Sequence, residues 1–130
     1  MNVNQILPLI ATAFLLIVVF AQIFQKPKSQ SWIGPFIISI LLLLYSAYTI
    51  TLEGPLGFWA NHTKDFWGNQ IWFDLLISIG TAFIVLLKRF KAQNMNVITW
   101  FVLVLASGSI GLLAMVARLL YLEAKGRQKG

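Results

Sequence analysis

Few residues in this chain can do chemistry, so the ones that can stand out. There are four acids, ten Lys or Arg, one histidine and no cysteine in 130 residues. The acids are Glu53, Asp65, Asp74 and Glu123. Asp74 and Arg118 are the sharpest pair, because each falls a few residues inside a long apolar run. On adjacent antiparallel helices both would lie at similar depth, about 6 Å inside the run at 1.5 Å per residue. A charge buried there in hydrocarbon costs about 2.5–3.5 kcal/mol, and pairing is the simplest relief. The pair would lock helix register or form a substrate or proton site.

The neighbours of that pair extend it. Asp74, Ser78 and Thr81 follow i, i+4, i+7 spacing and share one helix face. Ser107, Gly111, Ala114 and Arg118 do the same on the following run, with small residues that admit a close neighbour. The two stripes are expected to face each other. A second group gathers around the middle of the chain: Glu53, Trp59, His62, Asp65, Trp67 and Trp72, aromatics mixed with polar residues as in a segment lying among lipid headgroups. With an antiparallel arrangement all four acids fall on one side. His62 is a potential ligand for haem or a pigment, but one histidine with no second ligand at metal spacing makes no metal site, and no cofactor is expected. No phosphate loop, nucleophile elbow or zinc motif occurs, so no catalytic residue is assigned and the chain is read as a non-enzyme.

The elements that must hold these residues follow from composition. Hydrophobic residues make up 58% of the chain and charged ones 11%, against roughly 25% charged in an ordinary soluble domain. That excludes a soluble enzyme, a disordered tail and a disulfide scaffold. Four apolar runs, about 6–24, 35–51, 71–87 and 97–122, approach the roughly 20 residues that cross a bilayer as helix. Backbone groups in lipid must bond internally, so helix is the expected form. The first run lacks Lys or Arg ahead of it and reads as a retained anchor, not a signal peptide. The expected fold is therefore all-α, an antiparallel bundle of four transmembrane helices in a single membrane domain, 1–130, with an interfacial connection at 52–70.

The net charge of +6 comes from short clusters flanking the runs, not from a basic stripe on a soluble face, so nucleic acid is not an expected partner. With four spans the basic connections 25–34 and 88–96 share one side, with Lys26, Lys28, Lys88, Arg89 and Lys91, and an equal number, Lys64, Arg118, Lys125, Arg127 and Lys129, take the other together with both termini. The connections are expected in the cytoplasm, in a multi-pass protein of a bacterial inner membrane or an internal membrane system.

At Phe73-Asp74-Leu75-Leu76 and Gly108-Ser109-Ile110-Gly111-Leu112-Leu113 the chain resembles an uncharacterised family of small four-helix bacterial membrane proteins. The resemblance covers roughly residues 58–118. It implies a bacterial integral membrane protein in which Asp74 and the two glycines belong to the family pattern, and it supplies no activity.

Function is read from what the chain carries. Compact spans, small loops and no catalytic constellation favour an accessory or interaction subunit of a larger membrane complex. Its partners would be membrane lipids and a membrane protein or a further copy. A small transporter or binder of lipid-like ligands, using Asp74 and Arg118, is the alternative. An enzyme acting on lipid or isoprenoid is a lesser one.

Overall fold

The computed structural model describes residues 3–24 and 30–127. The basic residues Lys26, Lys28 and Lys129 lie outside them. Six helices are formed: α1 Val3–Phe24, α2 Ile33–Glu53, α3 Gly57–Thr63, α4 Phe66–Ala92, α5 Val97–Ser107 and α6 Ser109–Arg127. No strand occurs among the described residues. The chain divides into two compact units, Met1–Gln30 and Ser31–Gly130.

The first unit is α1 alone. It contains Pro8, and the hydroxyl of Thr12 donates to the Pro8 carbonyl at 2.8 Å. That carbonyl would otherwise serve only the i+4 amide.

The second unit holds the remaining helices, and their termini are written in the sequence. Asp65 caps α4, its carboxylate accepting the Gly68 amide at 2.8 Å. Because of that cap the helix starts at Phe66, five residues before the apolar run at Ile71. Asn96 caps α5 in the same way through the Thr99 amide at 3.1 Å. A side-chain oxygen at this position satisfies an amide that the first turn leaves without a partner. The connection expected at 52–70 is largely helical too. It contains α3, entered from Gly54 at φ 81°.

Three helices are long and apolar enough to cross a membrane: α1 from Gln5, α2 and α4. The fourth span expected over 97–122 is not continuous. It breaks at Gly108, where φ is 59° and ψ is −127°, a conformation open essentially to glycine. The chain reverses there. A Cβ placed on Gly111 would lie 2.8 Å from the Leu103 carbonyl oxygen and 2.9 Å from the Val104 Cα. Residues eight apart on one straight helix are separated by about 12 Å. So α5 and α6 form a tight helical hairpin, and the expected four-span bundle is replaced by three long helices and a hairpin.

The course of α6 is fixed by its contacts. The Ser39 hydroxyl of α2 donates to the Ile110 carbonyl at 2.9 Å, and the Trp32 ring meets Tyr121 edge-on at 5.7 Å. Thus α6 runs antiparallel to α2. At its start Gly108 abuts Ile79 of α4, and near its end Glu123 pairs with Arg89. Thus α6 runs parallel to α4. The hairpin tip reaches Ile79, the midpoint of α4, about 20 Å from either end of that helix. The core lies between hairpin and α4: Phe83, Phe90, Met95, Val104, Met115 and Leu119 are buried together. Phe83 meets Phe90 and Phe101 edge-on, at 5.8 and 5.5 Å.

Candidate functional site

Reversal at Gly108 decides which charged residues can meet. Asp74 lies on α4 beyond the hairpin tip, whereas Arg118 lies on α6 about 15 Å past the tip in the other direction. They form no ion pair. Arg118 instead lays its guanidinium over the Tyr121 ring, 5.7 Å from the centroid. An ion pair joins Arg89 to Glu123, with Nε donating to Oε1 at 2.9 Å and Nη2 to Oε2 at 2.7 Å. This two-pronged geometry is the strong form of the contact.

The stripes also part company. Asp74, Ser78 and Thr81 share an exposed face of α4, and none of the three side chains makes a hydrogen bond or ion pair. Gly111 is buried against α5, and the Ser107 hydroxyl donates back to the Leu103 carbonyl at 2.7 Å. The small-residue stripe therefore serves the hairpin, not α4.

The residues gathered around the middle of the chain are brought together more closely. The short helix α3 folds against the start of α4, and Gly68 makes the corner possible. A Cβ there would sit 2.7 Å from the Asn61 carbonyl oxygen and 3.0 Å from that of His62. Trp72 then meets His62 at 5.3 Å and Phe58 at 6.0 Å between ring centroids. The Nδ1–H of His62 donates to the Phe58 carbonyl oxygen at 2.6 Å. The Asn61 amide donates to Glu53 at 3.2 Å, tying α3 to the end of α2. Asp65 is occupied as the α4 cap. Trp59 and Trp67 are exposed side chains outside these contacts. Among the described residues no three His, Asp or Glu are grouped to hold a metal ion.

The acids do not share one end of this unit. Glu53 and Asp65 sit with α3 at the start of α4, and Glu123 sits with Arg89 at its finish. Lys125 and Arg127 follow Glu123 and therefore join Lys88, Arg89 and Lys91, not Lys64. Sequence reasoning missed Arg89, Glu123, Ser39 and the Trp32–Tyr121 contact. One signal pointed to the reversal: Gly108 flanked by Ser107 and Ser109, a breaker cluster inside an apolar run.

Comparison with protein families, with curated proteins and with solved structures gave no match. The geometry alone carries the functional argument.

Proposed function

We propose that this chain is an interaction subunit of a larger membrane complex, docking a helix of another membrane protein on the exposed face of α4. The observation that carries this reading is Asp74. It lies four residues beyond Gln70 in an apolar helix, exposed and without a partner in its own unit, with Ser78 and Thr81 in line below it. Ionisable groups at such positions pair with another group or line a polar path. Hydroxyls on the same face offer the bonds that hold one helix to the next.

The partner is of different sequence and carries Lys or Arg at matching depth. A two-fold contact between copies on this face sets Asp74 near its own equivalent, and like charges repel. The transporter reading needs Asp74 and Arg118 in one site, and the two are held apart.

Charge supports an orientation. The end where α4 and α6 finish carries Lys88, Arg89, Lys91, Lys125 and Arg127 against one acid, Glu123. The α3 end carries Lys64 against Glu53 and Asp65. Lys and Arg concentrate on cytoplasmic sides, so the basic end faces the cytoplasm and α3 lies in the opposite headgroup layer. The hairpin then enters and leaves from the cytoplasmic side.

The test is purification of the tagged full chain from its native membrane in mild detergent, with intact-mass analysis of the complex. Wild type is expected to bring down a stoichiometric membrane protein. Asp74→Asn should lose most of it while its own yield stays unchanged. A wild-type chain that runs alone, or only with copies of itself, overturns the proposal.

A further inference from the structure

At the basic end, one face of α6 carries Arg118, Tyr121 and Lys125, spaced i, i+3 and i+7 so that they line up. All three are exposed. Arg118 lies over the Tyr121 ring at 5.7 Å, and Trp32 at the start of α2 meets the same ring edge-on at 5.7 Å. Trp32, Tyr121, Ala124 and Lys125 line a surface recess of about 250 Å³. Below it Phe36, one turn along α2, continues the aromatic wall at 5.9 Å from Trp32.

Lys125 lines the recess, and Arg118 lies beside it across the Tyr121 ring; among the described residues neither cation has an acidic partner. Glu123 is the one acid at this end among the described residues, and Arg89 holds both of its oxygens. Two free positive charges therefore flank a recess with aromatic walls, and exposed apolar side chains follow on the α2 side. That combination asks for a ligand with an anionic group attached to a hydrocarbon body. A guanidinium and an ammonium are the usual partners of a phosphate. Trp and Tyr are the residues that settle at headgroup level. Basic pockets between the helices of a membrane protein take anionic headgroups.

We propose that Arg118, Lys125, Tyr121 and Trp32 form a binding site for the headgroup of an anionic phospholipid. Arg118 and Lys125 hold the phosphate from its two sides, and the Trp32–Tyr121 pair packs against the glycerol and the first acyl carbons. The site is independent of the α4 face, so either proposal can fail without the other.

The test uses the full chain in detergent, titrated with an equimolar mixture of phosphatidylglycerol and phosphatidylcholine and read by intact-mass spectrometry. Wild type is expected to retain the anionic lipid about tenfold over the neutral one, a difference of about 1.4 kcal/mol. The double variant R118Q/K125Q should fall to parity, whereas K88Q/K91Q, which changes net charge equally, should keep the preference. Trp32→Leu, with both cations intact, should weaken it several-fold. Equal retention of the two lipids by wild type overturns the site. So does equal loss in both double variants, which would mean a diffuse charge effect. Displacement of the lipid by millimolar inorganic phosphate would show a site for the free ion and overturn the lipid assignment.

Discussion

A carboxylate and a guanidinium on neighbouring helices need a common depth as well as facing sides. Residue types show the second requirement and leave the first to the path of the chain. Asp74 and Arg118 have the right chemistry and the wrong depth, because the helix bearing Arg118 runs in the direction opposite to that of a fourth span. Arg89 and Glu123 look unremarkable in sequence, one in a basic loop and one in a basic tail, yet they meet. Side-chain exposures of 43% and 21% keep this pair at the modest end of ion-pair strength, on the order of 1 kcal/mol or less. Glu123→Gln should therefore lower thermal stability in detergent slightly at low salt. At about 1 M salt the difference from wild type should vanish, since exposed charges are then screened. A gap that persists at high salt would mean that Glu123 acts through packing instead.

Among the elements, the start of α5 at Val97 was legible from the apolar run, whereas α4 starts at Phe66, ahead of its run at 71, because Asp65 caps it. Three long apolar helices were legible from length and hydropathy. The hairpin was not, because length and hydropathy of a 26-residue apolar run are the same whether it passes straight through or doubles back, and Ser107 and Gly111 were read as a packing face and not as neighbours of a break at Gly108. Two glycines decide between these. Gly108 supplies the backbone conformation of the reversal, and Gly111 lets α6 lie against α5. Gly111→Ala would place a methyl 2.6 Å from the Ser107 Oγ and closer than 3 Å to two α5 backbone atoms. Overpacking of this kind costs about 1–3 kcal/mol, and a lower melting temperature is expected. Gly80→Ala, where nothing lies within 4 Å of the added carbon, should match or exceed wild type. If the two alanines behave alike, the close approach at Gly111 is not what holds the hairpin.

For the whole molecule, the candidate site was legible in part. The aromatic and polar cluster around His62 and Trp72 was foreseeable from composition, whereas the basic end depends on where α6 finishes. Because the chain has no cysteine, single introduced cysteines report sidedness cleanly. In intact membranes Asn94→Cys and Gly126→Cys should be labelled from the same side by an impermeant reagent, and Lys64→Cys from the other. Labelling of Gly126→Cys together with Lys64→Cys would restore the straight fourth span. The hairpin that stops at Ile79 has a mechanical consequence. Through half its depth this unit offers the cross-section of four helices, α2, α4, α5 and α6, and through the other half that of α2 and α4, with the short α3 at its end. Each helix is about 10 Å wide, so in the orientation proposed above this unit would displace more area from the leaflet at the basic end than from the other. A unit tapered in that way relaxes where the leaflets themselves differ in area, so the segment from Ser31 on should favour bent regions of membrane over flat ones.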